Sequence, residues 1–119
     1  MMVKITQFTL QSEQHSLMVE TAEQQWQFSY EYLRVYSPAQ QAMKQALVGH
    51  KKTVKLLAIE SLGSHGFRLI FDDHHNSIFT PKDFQSLAVN FDSNWQKYTK
   101  MLGQHHLTRE AKIDITNLS

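Results

Sequence analysis

Apolar and polar residues alternate along the first third of the chain, and this pattern predicts β-strands. Residues 3–10 carry apolar side chains among polar neighbours, and the polar stretch 12–15 separates them from a second apolar run at 17–19. We expect these segments to form a hairpin. Residues 26–32 place an aromatic ring at every second position, which predicts a third strand. The alternation shifts by one position at Leu33, so we expect a bulge or a bend there.

Two later segments carry the signals of helix starts. Ser37-Pro38 supplies a capping residue followed by a proline, which predicts a short helix over residues 39–47. Thr80-Pro81 repeats this arrangement before a long apolar series with spacings of three and four residues. The members of this series are Phe84, Leu87, Ala88, Phe91, Trp95, Tyr98 and Leu102. A second start at Asn90 leaves open whether this C-terminal helix is continuous or broken in two.

Three short strands fill the interval between the two predicted helices. Apolar runs at 53–62, 67–71 and 78–79 are separated by polar turns, and this arrangement predicts an antiparallel meander. The whole pattern predicts an α+β fold. In this fold a mostly antiparallel sheet is covered by the C-terminal helix, and a short helix follows Pro38.

Length and composition fit one domain with a core of modest size, since 41% of the 119 residues are hydrophobic. We expect this domain to span residues 1–103 and a weakly ordered tail to span residues 104–119. The balance of 12 basic and 11 acidic residues argues against a nucleic-acid partner, which would need a basic surface. The sequence has no run of about 18 apolar residues and no signal-peptide block, so we predict a cytoplasmic location without a membrane partner.

The absence of cysteine narrows the chemistry of the chain. Disulfides, thiol catalysis, iron–sulfur ligation and cysteine-based zinc sites are all excluded. No histidine has an acid two positions later, so the usual motif of an iron(II) oxygenase is absent. The four scattered glycines do not form a phosphate-binding loop. We therefore predict no catalytic residues, no enzymatic activity and no cofactor.

A cluster of histidine and aspartate is the strongest candidate for a metal site. Asp72, Asp73, His74 and His75 are consecutive in a predicted turn, and imidazoles with carboxylates bind zinc, iron or manganese. Neighbouring side chains in a strand point to opposite faces, so a joint site requires an irregular turn. A solvated polar turn that closes a hairpin is the alternative.

The aromatic strand offers a candidate interaction surface. If the C-terminal helix covers the opposite face of the sheet, Tyr30, Tyr32, Arg34 and Tyr36 stay exposed. Tyrosine and arginine are enriched at protein interfaces, so these four residues would form a surface for a protein partner. Packing of the same rings into the core is the alternative.

Several segments resemble the gamma-butyrobetaine hydroxylase-like N-terminal domain. The segment YLRVYSP at 32–38 resembles the "LR..SP" signature of that family, and the strand at 54–63 resembles its central strand, which ends in a glycine turn. The segment FRLIFDDHHNSIF at 67–79 is similar to its "lrI.F.DGH.sGiY" segment, which precedes a helix with tryptophan and leucine. The resemblance covers roughly residues 1–103 and implies the fold given above.

The departures from the family pattern concern its metal. In the dioxygenases of the carnitine pathway, the resemblance implies a zinc ion held by three cysteines, spaced C-x-C-x-x-C, and by the histidine of the turn. Those cysteine positions fall at Ser37, Ala39 and Ala42, so His75 alone matches a ligand. A histidine, His74, also stands in place of the turn's glycine. We therefore expect that the zinc site is lost.

The resemblance also implies an accessory role. In the oxygenases this domain precedes a catalytic domain that these 119 residues do not contain, and in other relatives it is attached to P-loop proteins that handle iron–sulfur clusters. We predict a non-catalytic module for protein–protein interaction, with a partner related to oxygenases or to iron–sulfur proteins. The alternative is a metal-binding protein that keeps a residual site at residues 72–75, with zinc or iron as its metal.

Overall fold

The computed structural model describes residues 3–110, which contain six strands and four α-helices. The strands are β1 (Ile5–Gln11), β2 (Ser16–Thr21), β3 (Gln25–Ser29), β4 (Leu56–Ser61), β5 (Phe67–Phe71) and β6 (Asn76–Phe79). The helices are α1 (Tyr30–Val35), α2 (Pro38–Gln41), α3 (Pro81–Val89) and α4 (Phe91–Gln104). The predicted α+β class is confirmed. Its strands form two antiparallel sheets, the first in the order β1-β2-β3 and the second in the order β4-β5-β6.

The first sheet contains the predicted N-terminal hairpin. A 3₁₀ turn at Ser12–Gln14 connects β1 to β2, and His15 completes it in the left-handed conformation with φ 50°. In the register of the sheet, Val19 pairs with Phe8 on one side and with Trp26 on the other. Because neighbouring residues in register share a face, this row packs as one unit against the core.

The chain turns into a helix where the aromatic alternation predicted a continuing strand. Strand β3 ends at Ser29, whose Oγ accepts a hydrogen bond from the backbone N–H of Tyr32 at 3.0 Å and caps α1. All six residues of α1 are buried. The predicted continuation of the strand through a bulge or a bend at Leu33 is therefore wrong, because the cap and the tertiary burial of α1 outweigh the strand preference of its tyrosines and valine.

The short helix after Ser37 is confirmed, but it ends at Gln41 rather than at residue 47. Ser37 caps it and Pro38 occupies its first turn. Beyond Gln41 the chain is irregular, and the carbonyl of Ala46 accepts a hydrogen bond from the Gln40 side chain at 2.8 Å. A side chain from the helix therefore satisfies a carbonyl in the segment where the sequence predicted further helical turns.

The C-terminal helix is broken in two at Asn90, as the sequence left open. A capping box starts α3: Thr80 Oγ1 accepts from the Asp83 backbone N–H at 3.2 Å, and Asp83 Oδ2 accepts from the Thr80 N–H at 2.8 Å. Phe84 of α3 is fully buried, and its ring lies 5.7 Å from that of Phe8 and 5.2 Å from that of Phe79. Helix α3 therefore contacts both sheets and joins them into one core.

Residues 104–110, the part of the predicted tail that the structure describes, contact the rest of the domain through residues that include Thr108 and Arg109. The carbonyl of Thr108 accepts from the His50 N–H at 2.7 Å. Arg109 makes a bidentate ion pair with the buried Glu31, with donor–acceptor distances of 2.9–3.2 Å, and lies 4.9 Å over the Trp95 ring. These contacts hold the segment against α1 and α4. Residues 111–119 of the predicted tail lie outside the described residues.

No helix within residues 3–110 has the length and apolar character that a membrane span requires.

Candidate functional site

A polar cluster connects the end of α1 and the start of α2 to the turn between β5 and β6. We call it the clasp and define it as Arg34, Ser37, Lys51, Asp73 and His75. Ser37 is fully buried, and its Oγ lies 2.8 Å from His75 Nε2. The clasp brings together residues that are 38 positions apart in the sequence.

Asp73 is the charged centre of the clasp. Its Oδ2 accepts from Arg34 Nε at 2.7 Å and from Lys51 Nζ at 2.6 Å. Arg34 is 6% exposed, and its other guanidinium branch donates to Gln40 Oε1 at 2.8 Å. Burial opposes ionisation of Asp73, but the hydrogen bonds and charges of Lys51 and Arg34 outweigh it and lower the pKa of the carboxyl. Asp73 is therefore a carboxylate at neutral pH.

His75 is neutral at the same pH. Its pKa is lowered by burial and by the nearby cations of Arg34 and Lys51, while the carboxylate of Asp73 opposes the shift. A neutral imidazole has one nitrogen that accepts and one that donates. The serine–histidine pair does not resemble a nucleophile and its base, because the hydroxyl of Ser37 is inaccessible to a substrate.

The four predicted metal ligands do not come together. Asp72 is exposed, and its Oδ1 accepts from the Lys55 backbone N–H at 3.0 Å. His74 is exposed at a left-handed position with φ 65°, while Asp73 and His75 are engaged in the clasp. Across residues 3–110, no group of three or more histidine, aspartate or glutamate side chains is placed to hold a metal ion.

The zinc ion that the resemblance implies does not fit the residues present. Its three cysteine positions hold a hydroxyl at Ser37 and methyl groups at Ala39 and Ala42. The hydroxyl of Ser37 lies within hydrogen-bonding distance of His75 Nε2. Zinc sites of this kind need thiolates or further imidazoles, which this donor set lacks.

The predicted exposed patch of tyrosines is corrected by the structure. Tyr30, Tyr32 and Arg34 are buried and Tyr36 is half-buried. The hydroxyl of Tyr32 donates to the carbonyl of Leu87 at 2.7 Å, so it is engaged inside the core. Tyr30, Tyr32 and Arg34 belong to helix α1 and Tyr36 directly follows it. This helix packs between the sheets and α4, and for that reason the four residues do not form an open surface.

A different surface, which mixes apolar and polar side chains, lies on the solvent side of the second sheet. We call it the second-sheet face and define it by the outward-pointing residues of β4, β5 and β6: Ala58, Glu60, Arg68, Ile70, Asn76 and Ile78. Ile78 is 41% exposed and pairs in register with Arg68, which pairs in turn with Glu60. An open groove of about 410 Å³ lies between this face and α2, with Pro38, Ala39 and Ile78 in its lining.

The sequence contained a signal for this face that our interpretation missed. Strand β5 is apolar at inward positions such as Leu69 and also at the outward position Ile70. A strand with one solvated face has polar residues at outward positions. The alternating aromatic residues near residue 30 form a stronger pattern, and the predicted surface was placed there for that reason.

Comparison with known proteins places the chain in a family. Two proteins with solution structures determined by NMR superpose on it. One has 33% identity and a TM-score of 0.80 over 97% of this chain and 91% of its own, and the other has 26% identity and a TM-score of 0.81 over 98% of both chains.

A crystal structure of a protein of unknown function from Acidithiobacillus ferrooxidans, which belongs to the DUF971 family, has 24% identity and a TM-score of 0.61 over 71% of this chain and 91% of its own. It shows the fold alone. No curated protein matches the chain. The sequence profile described as gamma-butyrobetaine hydroxylase-like, N-terminal, matches residues 8–85, which is more than half of the chain. The chain belongs to the gamma-butyrobetaine hydroxylase-like N-terminal domain family.

Proposed function

We propose that this chain is a non-catalytic accessory module that binds another protein through the second-sheet face. The observation that carries the proposal is the exposure of Ile78 beside the outward Ile70 and Ala58 on adjacent strands. Single exposed apolar residues are ordinary on protein surfaces, whereas neighbours on one face form a patch that suits an interface. The family resemblance directs the search to partners related to oxygenases or to iron–sulfur proteins, in the cytoplasm.

The charges around the apolar residues define the chemistry of the partner. Arg68 and Glu60 form a loose, exposed pair at 3.6 Å, which costs little to separate. The Arg68 guanidinium also lines the groove beside Pro38 and Ile78. A partner segment with an apolar side chain next to a carboxylate would bury Ile78 and replace Glu60 as the acceptor of Arg68.

Site-specific photo-crosslinking in cells tests this assignment. A benzoylphenylalanine is placed at position 78, and a matched probe is placed at Gln27, which lies on the outward side of the first sheet. We expect a discrete crosslinked protein from position 78 that is absent from position 27. Equal products from both positions would contradict the proposal.

The protein identified in this way is then purified and titrated with the full chain by calorimetry. We expect Ile78→Asp to weaken the affinity by at least about tenfold, since it places a carboxylate in an apolar contact and competes with the partner for Arg68. Gln27→Glu serves as the control and leaves the affinity unchanged. An unchanged affinity for Ile78→Asp would overturn the assignment, and so would a dimer of the chain in light scattering that this variant dissociates, because the face would then bind a second copy.

A further inference from the structure

We infer that the Ser37–His75 contact is a metal-free cross-link, which fastens the start of α2 to the turn between β5 and β6 in the place where the family resemblance implies zinc. This inference concerns the clasp and is independent of the proposed protein-binding role. It accounts for how these two segments are held together without zinc ligands.

The direction of the hydrogen bond follows from the other partners of Ser37. Its Oγ accepts from the backbone N–H of Gln40 at 3.3 Å, as the cap of α2. Among residues 3–110 the proton of this buried hydroxyl has no acceptor other than Nε2 of His75, at 2.8 Å, so we assign Ser37 as the donor. We assign the proton of the neutral imidazole to Nδ1, which leaves the Nε2 lone pair to receive the bond. A metal ion at Nε2 would have to displace the serine proton.

The cations of the clasp reinforce this arrangement. Arg34 and Lys51 both converge on Asp73, two residues before His75, and their charges disfavour a third positive charge nearby, which the carboxylate of Asp73 offsets in part. A zinc ion close to His75 would meet the same repulsion, without thiolates to offset it. The surroundings of His75 therefore suit a neutral acceptor and disfavour a cation.

A second hydrogen bond joins the same two elements. The backbone N–H of Ala39, at another of the lost cysteine positions, donates to Ser77 Oγ at 2.9 Å. Ser77 is buried on β6, so this bond lies beside the one from Ser37. Two hydrogen bonds thus connect the start of α2 to this part of the second sheet, one to the turn at His75 and one to β6 at Ser77.

A double-mutant cycle tests the cross-link. Unfolding by urea is measured for the full chain, for Ser37→Ala, for His75→Gln and for the double variant. We expect the two changes to be coupled by about three- to tenfold in the unfolding equilibrium constant. The matched cycle of Ser37→Ala with His74→Asn gives no coupling, because His74 is exposed and an asparagine tolerates its left-handed backbone. Independent effects of Ser37 and His75 would overturn the inference.

Metal measurements test the other half of the inference. We expect EDTA to leave the thermal midpoint of the full chain unchanged and zinc analysis to give well under one ion per chain. One bound zinc ion per chain that is lost in His75→Gln would overturn the inference.

In the triple variant Ser37→Cys, Ala39→Cys, Ala42→Cys, we expect cobalt(II) to give the absorption of a tetrahedral thiolate site, with zinc raising the thermal midpoint. A folded triple variant that binds no cobalt would show that the clasp does not occupy a former zinc site.

Discussion

The first and second sheets have the same three-stranded antiparallel order, yet they present different side chains to solvent. On the outward side of the first sheet, Gln27 Nε2 donates to Gln11 Oε1 and to Ser16 Oγ, both at 3.0 Å. The central strand of the first sheet places Met18 beside Gln27, whereas the outward positions of β5 and β6 in the second sheet hold Ile70 and Ile78. Each sheet builds the core with its inward apolar face. The outward Ile70 and Ile78 of the second sheet are not needed for that and are available for binding.

The largest loss of stability is expected from a change at a residue that contacts both sheets. Phe84→Ala removes a ring that contacts both sheets, and we expect it to lower the free energy of unfolding by about 3–5 kcal/mol in urea. The control Gln85→Ala changes an exposed neighbour on α3 and stays within about 0.5 kcal/mol. Two separate transitions in Phe84→Ala, instead of one, would show that the sheets have independent cores.

The second-largest loss of stability is expected from breaking the buried ion pair of Arg34 with Asp73. The exposed pair of Arg68 with Glu60 serves as the comparison. Asp73→Asn leaves the buried Arg34 without its carboxylate, and we expect a loss of about 2–3 kcal/mol, below the range of a fully buried pair because Asp73 is partly exposed. Glu60→Gln breaks the exposed pair with Arg68, and we expect a loss under about 0.5 kcal/mol. Equal losses in the two variants would contradict the assignment of one pair to the fold and the other to the surface.

The pH dependence of stability also distinguishes the clasp, which contains His75, from the second-sheet face, whose defining residues include no histidine. His75 has a lowered pKa in the folded chain and an ordinary value near 6.5 when unfolded, so the unfolded state binds more protons between these two values. The free energy of unfolding should therefore fall as the pH decreases from about 6.5 through the lowered pKa. His75→Gln should flatten this decline, and His74→Asn should keep it. Asp73, with its lowered pKa, contributes a further loss only in more acidic solution.

Local signals explain which elements were predictable. The sequence Thr80-Pro81 with Asp83 fixes the start of α3 through contacts within one turn, and Asn90 marks the break before α4. Helix α1 was not predictable in this way, because the alternation up to Tyr32 is typical of a strand. Its helical form depends on burial against distant segments, such as the bond of Tyr32 to the Leu87 carbonyl.

The candidate site also contains residues that the sequence predicted and residues that it did not. His75 was identified from its turn and from the family resemblance, and the loss of zinc ligands followed from the absence of cysteine. The convergence of Arg34 and Lys51 on Asp73 was not predicted, since these residues are separated by 39 and 22 positions. Tertiary structure alone brings them together, and it also changed the role of Arg34 from an expected surface residue to a buried partner.

The smallest effect on stability is expected at Ile78, on the edge strand of the second-sheet face. Ile78→Gln gives the second sheet the outward chemistry of the first, and we expect the free energy of unfolding to change by less than about 0.5 kcal/mol, since Ile78 is 41% exposed. The same variant should weaken the partner by at least about tenfold in calorimetry, because the interface loses an apolar contact. A loss of stability above about 2 kcal/mol would mean that Ile78 belongs to the core. The polarity difference between the sheets would then be a requirement of folding, and the face would not be free for a partner.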